Sequence, residues 1–159
     1  MIFSRTSQYA IQALIFIATQ PRGDPVLNRT IARHLQVPSA YLAKIMRQLC
    51  KGKLLRSARG RQGGFYLDEG GEKTDLMRIV TLIEGAGFTE DCVLGLKVCE
   101  DRTACPMHDK WRPIKDRIVA LLRQQTLASL ARAVLSGKYR LSDVPAAMLA
   151  EEATGGPAA

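Results

Sequence analysis

Acidic residues are almost absent from the first 67 positions, where eleven Lys and Arg side chains stand against the single acid Asp24. The rest of the chain carries twelve basic and fourteen acidic side chains, so the net charge of +8 comes from its first part. A positive region attracts polyanions, because neutralising phosphates releases counterions and adds to affinity. The alternative is a surface whose charge only keeps the protein soluble.

The chain also lacks any apolar run of about 18 residues, the length needed to cross a membrane. Ser4, Arg5, Gln8 and Gln12 interrupt its first 17 residues, and no cleavage-type end follows them, so a signal peptide is not expected. With 47% hydrophobic residues, 159 positions suffice for one compact domain and an extension. We expect a soluble, cytoplasmic protein with no membrane partner, in which clustered cysteines favour metal or redox chemistry over stable disulfides.

Residues 28–51 predict two short helices joined by a tight connection at positions 36–38. Asn28 is a candidate cap for the first helix, and Ser39 is a candidate cap for the second. Two such helices with a three-residue connection are typical of a helix-turn-helix. His34, near the end of the first helix, is expected at the surface or against a DNA backbone.

The second of these helices has two distinct faces. Apolar side chains at helical spacing predict a buried face made of Leu42, Ile45, Met46 and Leu49. The opposite face combines small side chains with cations, which permits close approach to a DNA groove and pairing with phosphates or guanine edges. The candidate DNA-binding residues of this helix are Ser39, Ala40, Tyr41, Ala43, Lys44, Arg47 and Lys51.

Two short strands are predicted next, in residues 54–60 and 64–70, around the glycine-rich stretch "GRQGG". Arg59 and Arg61 lie at this tip and are candidate contacts to a minor groove or a DNA backbone. A basic hairpin after a recognition helix is the arrangement of a winged helix-turn-helix. A nucleotide-binding loop is disfavoured, because the Lys-Ser/Thr ending and the following helix are missing.

The remaining helices extend beyond this unit. Thr74 is a candidate cap for a helix that two glycines end, and a further short helix is expected to begin at Thr126. Between them lies a long amphipathic helix whose apolar stripe fits a twin helix of a second subunit, or alternatively its own domain. The stripe consists of Trp111, Ile114, Ile118, Leu121 and Leu122.

The predicted fold class is mainly α with a small β-wing. Four regions follow in order: a winged helix-turn-helix domain (1–85, with its wing at 54–67), a cysteine-containing sensor loop (86–109), dimerisation helices (110–140) and a flexible tail (141–159) to which no function is assigned.

The loop holds three of the four cysteines in the pattern Cys92-x6-Cys99-x5-Cys105-x2-His108. Thiolates and an imidazole at such separations suit zinc or an iron-sulfur cluster. The gaps are wider than the Cys-x2-Cys of zinc knuckles, which favours a larger centre. Unliganded reducible thiols remain an alternative. A cysteine nucleophile activated by His108 lacks an orienting acid and a pocket, so we do not expect an enzyme.

Taken together, these motifs resemble the IscR/NsrR regulators, the Rrf-two family of bacterial winged-helix transcription factors, over residues 1–136. The matching stretches are "TSQYAIQALIFIA", "SAYLAKIMRQL", "SARGRQGGFYL", the three-cysteine loop and "TLASLARAVL". The resemblance implies a cytoplasmic homodimer that binds double-stranded DNA at a palindromic operator. It also implies an iron-sulfur cluster, held by the three cysteines, whose gain or loss changes the order of the loop and the spacing of the recognition helices.

The family resemblance also bears on the fourth ligand. IscR-like members use a histidine three residues after the last cysteine, where His108 stands, and NsrR-like members use an acidic residue in the first helix, where this chain has Gln8. A 2Fe-2S cluster is therefore favoured, and a 4Fe-4S cluster is the other possibility. This chain departs from the IscR-like members in two ways. The gap between its first two loop cysteines is longer, and Ala43 stands in place of an acidic residue that those proteins use in operator discrimination.

Three functions follow as alternatives at this point. The first is a cluster-sensing repressor or activator that responds to iron, redox state or nitric oxide. The second is a thiol-redox or zinc-containing regulator of the same fold. The third is an iron-sulfur carrier whose basic face meets an acidic protein.

Overall fold

The structure is a computed structural model that describes residues 3–89, 92–97 and 100–141. The described part is mostly helical with one two-stranded antiparallel sheet, as the sequence predicts. Its elements are α1 (Arg5–Ala18), α2 (Asn28–Leu35), α3 (Ser39–Lys51), β1 (Leu55–Ala58), β2 (Gly64–Leu67), α4 (Leu76–Glu84), α5 (His108–Gln124) and α6 (Leu127–Leu135). Residues 142–159 of the predicted tail lie outside the described residues.

One apolar core joins α1, α2, α3, α4 and the start of α6. The predicted inner face of α3 is confirmed, since its four apolar side chains are all 2% exposed or less. Leu14 of α1, Ile31 of α2, Ile79 of α4 and Leu127 of α6 are fully buried beside it. Each such side chain stabilises the fold by about 1.5–3 kcal/mol, so α3 is held firmly while its other face stays available.

A hydrogen bond joins the starts of α2 and α3, and it is made by Asn28 and Ser39, the two residues that the sequence analysis predicted as helix caps. Both cap predictions are wrong: Asn28 is the first residue of α2, and neither helix has a side-chain cap at its N-terminus. Instead, the Asn28 amide donates to the Ser39 carbonyl oxygen at 2.9 Å and to its hydroxyl at 2.7 Å. Gln36 takes a left-handed conformation, φ 54°, which ends α2 and turns the chain.

His34 is not at the surface, which corrects the prediction for it. The side chain is buried, and its ring stacks on Phe16 of α1 with the ring centroids 4.3 Å apart. It lies one turn after Ile31, on the inner face of α2, so the helix carries it into the core. Burial lowers the pKa of His34, because a charged imidazole is disfavoured there.

The wing strands are shorter than predicted, at four residues each, and run from the pair Leu55 and Leu67 to the pair Ala58 and Gly64. A backbone bridge between Val26 and Phe65 attaches β2 to the segment before α2, with N–O distances of 2.8 and 2.9 Å. The wing is therefore attached to the helical body at its base.

Asp75, and not Thr74, caps α4: its carboxylate accepts from the Arg78 backbone N–H at 2.8 Å, so the Thr74 prediction is wrong. Thr126 caps α6 as predicted, in a reciprocal arrangement with Ser129. In both helices the cap side chain accepts a hydrogen bond from the N3 backbone amide.

The stripe of α5 is only partly covered in the described structure. Leu122 is buried and Trp111 and Ile118 are half-buried, whereas Ile114 and Leu121 are 51% and 56% exposed. Packing on its own domain, the alternative considered for this helix, therefore accounts for only part of the stripe. Within the described ranges no helix is both long enough and apolar enough to span a bilayer.

Candidate functional site

The outer face of α3 presents most of the predicted DNA-binding residues to solvent. Its exposed members are Ser39, Ala40, Lys44, Arg47 and Lys51, and Ala43 is half-buried. Because the inner face of α3 is fixed in the core, these side chains project from a rigid support.

Tyr41 behaves differently from the other predicted contacts, because its side chain turns toward α1. Its hydroxyl lies 2.9 Å from the Thr6 hydroxyl, and its ring meets Tyr9 edge-to-face with the centroids 6.1 Å apart. The ring is half-buried and packs against the core. These contacts hold the Tyr41 side chain against α1.

Arg59 and Arg61 flank the tip of the wing and are both exposed. Gly60 between them has φ 107°, a conformation that side chains other than glycine rarely adopt. At the base of the wing, the Arg56 guanidinium donates to the Asp68 carboxylate at 2.6 Å. The pKa of Asp68 is lowered by a hydrogen bond from the Glu69 backbone and by Arg56, so this ion pair remains charged at neutral pH.

Two of the predicted metal ligands lie next to each other. The Cys92 and Cys105 sulfur atoms are 3.7 Å apart, with Cys92 buried and Cys105 half-buried. Thiolates bonded to one tetrahedral metal ion at about 2.3 Å lie roughly 3.8 Å apart. The two sulfur atoms therefore already have the separation of ligands on a single metal ion.

The predicted set is incomplete in the described residues, since Cys99 lies outside them. No group of three His, Cys, Asp or Glu side chains forms a metal-binding arrangement in the part of the chain that the structure describes. His108, the first residue of α5, is 5% exposed, and its backbone N–H donates to the Cys105 carbonyl oxygen at 2.9 Å. The loop end that carries Cys105 is thereby joined to the helix start that carries His108.

Asp101 orients His108. Its carboxylate lies 3.0 Å from His108 Nε2 and also accepts a hydrogen bond from Arg112. The Arg112 hydrogen bond, and then that of His108, lower the pKa of Asp101, so the carboxylate is ionised and only accepts. Nε2 must therefore carry the proton, and in a neutral imidazole the lone pair then lies on Nδ1. A metal-binding histidine is commonly oriented by a carboxylate in this way.

Sequence reasoning missed Asp101 and Arg112. One signal was present, because Arg112 follows His108 by four residues and so shares its face of α5. Asp101 belongs to a short 3₁₀ turn, Asp101–Thr103, whose position depends on the tertiary structure of the loop.

Comparison with known proteins gives one consistent result. The sequence pattern of the family Rrf2, described as an iron-dependent transcriptional regulator, matches residues 3–133. A putative HTH-type transcriptional regulator of Aquifex aeolicus is 33% identical over 132 residues, which cover 82% of this chain and 91% of that protein. The HTH-type transcriptional regulator IscR of Yersinia pestis is 26% identical over 130 residues, 82% of this chain and 79% of the relative. The solved structure of T. potens IscR superposes with a TM-score of 0.67 at 25% identity, covering 86% of this chain and 90% of that one.

Proposed function

Because this chain belongs to the Rrf2 family of transcriptional regulators, we propose that it is a homodimeric regulator whose operator affinity is controlled by an iron-sulfur cluster. Like its relatives, which are transcriptional regulators, it is a DNA-binding protein and not an enzyme. The proposed cluster ligands are Cys92, Cys99, Cys105 and His108. The observation that carries the proposal is the 3.7 Å separation of the Cys92 and Cys105 sulfur atoms. Independently of it, a carboxylate orients His108.

On the DNA side, α3 enters the major groove and the wing tip reaches the adjacent minor groove or backbone. Lys44 and Arg47 are the proposed groove contacts of α3, and Arg59 and Arg61 are those of the wing. Exposure of all four cations supports this assignment. A two-fold symmetric dimer presents two such units, so it calls for a palindromic operator with half-sites about one helical turn apart.

The proposed dimer forms through α5. Ile114 and Leu121 lie two turns apart on this helix and are half exposed, although apolar side chains of this size gain from burial. A second copy of α5 covers them in an isologous contact, in which the same stripe serves both subunits.

A 2Fe-2S cluster fits the described thiols better than a 4Fe-4S cluster does. In the smaller cluster each iron would take two protein ligands, and Cys92 and Cys105 lie close enough together to share one. In the larger cluster each iron takes one protein ligand, which separates the sulfur atoms further. When bound, the cluster supplies a centre whose charge and integrity respond to oxidants and iron supply.

Cys92, Cys105 and His108 would fix the sensor loop at both ends when they hold the cluster. Cys92 follows the end of α4 by eight residues, and Cys105 and His108 lie where α5 begins. Holding these ends together would fix the end of α4 relative to the start of α5, and so the winged domain relative to the dimer helix. The two recognition helices then match or miss their half-sites, which changes operator affinity.

The experiment that tests this function is anaerobic purification with iron and sulfide analysis and a visible absorption spectrum. Cys92→Ala is expected to abolish the absorption, because it removes a proposed ligand. Cys50→Ala is the matched control and is expected to retain it, since Cys50 on α3 packs against the core and burial raises its thiol pKa. A colourless wild-type protein with stoichiometric zinc would overturn the proposal.

A second candidate is a cluster-free thiol switch, favoured by the same pair of cysteines. Their sulfur atoms need to approach by less than 2 Å to reach the length of a disulfide, about 2.05 Å. In this case oxidised wild-type protein shows two fewer free thiols, contains no iron, and changes its operator affinity. Iron-loaded protein whose affinity is insensitive to thiol oxidants would exclude this candidate.

A further inference from the structure

The last residue of α4 is hydrogen-bonded to the first turn of α1. The Glu84 carboxylate accepts from the Ser4 backbone N–H at 2.9 Å and from the Ser7 hydroxyl at 2.6 Å. Ser4 is the N-cap of α1, and Ser7 is fully buried. A carboxylate at a helix N-terminus is favoured by the helix dipole, and the Ser7 hydrogen bond lowers the pKa of Glu84. The charged form therefore holds this joint at neutral pH.

The same turn of α1 is also joined to the start of the recognition helix. Thr6, between Ser4 and Ser7, lies 2.9 Å from the hydroxyl of Tyr41. Tyr41 is the third residue of α3, and Tyr9, one turn further along α1, supports its ring from the side. The first turn of α1 is thus in contact with the end of α4 through Ser4 and Ser7, and with the start of α3 through Thr6.

A direct contact joins α4 to the other end of α3. The Gln48 side-chain amide donates to the Leu82 carbonyl oxygen at 3.1 Å. The Leu82 side chain lies so close to Gly52, just after α3, that a Cβ there would come within 2.3 Å of it. The last turn of α4 is therefore connected to both ends of α3, and a displacement of that turn cannot leave α3 unchanged.

The sensor loop begins immediately beyond this turn. Gly85 ends α4 with φ 94°, and Cys92 follows seven residues later. On the α4 side, a change in the loop acts first on Glu84, the last residue of α4. Packed helices move as rigid bodies with discrete arrangements, so a shift at Glu84 reaches α3 through the joints described.

We propose that the first turn of α1 is the mechanical link between the sensor loop and the recognition helix, with Glu84, Ser7, Thr6 and Tyr41 as positioning residues; this inference rests on the proposed function. In this account Tyr41 orients α3 and does not contact DNA. A change in the loop shifts Glu84 and, with it, the first turn of α1. The hydrogen bond between Thr6 and Tyr41 then shifts the end of α3 that enters the groove.

The test measures coupling, which a merely structural role does not change. Operator Kd is determined by anaerobic titration for cluster-loaded and cluster-free protein, and the ratio of the two is compared among variants. Thr6→Val and Ser7→Ala each remove one hydroxyl of the link. Residues along such networks change coupling by roughly 2- to 30-fold, so each variant is expected to bring the ratio toward one by a factor in this range. Visible absorption and dimerisation are expected to stay as in the wild type.

Thr19→Val is the matched control, because Thr19 lies at the other end of α1, where its hydroxyl donates to the Phe16 carbonyl oxygen. Its ratio is expected to equal that of the wild type. Wild-type ratios retained by both Thr6→Val and Ser7→Ala would overturn the link while leaving the proposed function intact. A wild-type ratio of one would instead refute the proposed function.

Amide hydrogen exchange tests the link without a cluster. In cluster-free protein, Ser7→Ala is expected to accelerate exchange at residues 42–44 of α3 relative to Thr19→Val, although Ser7 itself does not contact α3 through its hydroxyl. Equal exchange in the two variants would contradict the link whatever the cluster does.

Discussion

Replacing Gly64 with alanine tests how the wing is attached to the helical body. Gly64 begins β2 with φ 158°, and a Cβ at this position would lie 2.3 Å from the Val26 carbonyl oxygen. Val26 belongs to the backbone bridge with Phe65, so the atom in the way cannot rotate aside. The substitution must separate the two backbones or distort the start of the strand.

The expected cost has two parts. An alanine in a sparsely populated backbone region costs about 1–3 kcal/mol, and a close contact with backbone adds about 1–3 kcal/mol. Gly60→Ala is the matched control, because Gly60 also has a positive φ, 107°, but has no heavy atom within 4 Å of the added Cβ. Gly64→Ala is therefore expected to be about 1–3 kcal/mol less stable than Gly60→Ala. For a chain of this size that difference lowers Tm by about 2–12 °C.

Thermal unfolding and an operator titration of both variants check this prediction. Gly64→Ala is expected to bind operator more weakly than the wild type, because the wing that carries Arg59 and Arg61 is displaced from the body. Equal Tm values for the two variants would refute the reasoning, since they would mean that the Val26 backbone does not lie against β2.

Three further predictions concern DNA binding, the metal site and the dimer. Arg59→Ala is expected to weaken operator binding about tenfold and to leave dimerisation intact; an unchanged affinity in a gel-shift titration would be incompatible with the wing contact. Asp101→Asn is expected to lower metal affinity about 10- to 100-fold relative to Glu100→Gln, because it replaces the charged carboxylate that orients His108 with a neutral amide; iron content equal to that of the control would count against this role. Leu121→Asp is expected to give monomers in light scattering, because it places a charge on the exposed stripe of α5; a dimer unaffected by it would place the interface elsewhere.

Helical periodicity was sufficient to predict α3. Its apolar positions recur at helical spacing, and all of them are buried in the structure. Tyr41 was predicted only as a DNA-binding residue, and periodicity gave no sign of its contacts with Thr6 and Tyr9. Positions of ambiguous polarity need tertiary information, whereas purely apolar ones do not.

A helix cap could be predicted only where no neighbouring residue was also able to accept the hydrogen bond of the N3 amide. Thr126 has no rival and caps α6, but Thr74 stands beside Asp75, which makes the bond to the N3 amide. Asn28 and Ser39 are both good cap residues, yet their side chains meet each other because α2 and α3 approach closely. Such a long-range contact competes with local capping and cannot be inferred from either segment alone.

The candidate metal ligands were likewise predictable only in part. Residue type and spacing were enough to select Cys92, Cys105 and His108 as candidates, but spacing does not determine which sulfur atoms meet. The 3.7 Å contact joins cysteines thirteen residues apart, and Asp101 reaches His108 across a loop. A long loop can bring many different pairs of its residues together, so these contacts depend on the packing of α4 against α5.

The most direct test of the central claim is one anaerobic measurement. A palindromic operator is titrated with freshly purified wild-type protein while visible absorption is recorded, and the titration is repeated after the cluster has been removed by oxidation and chelation. The account predicts a coloured protein with iron and sulfide and an operator Kd that changes at least about fivefold on cluster loss, the lower range of allosteric coupling. A coloured protein with the same Kd in both states would contradict it.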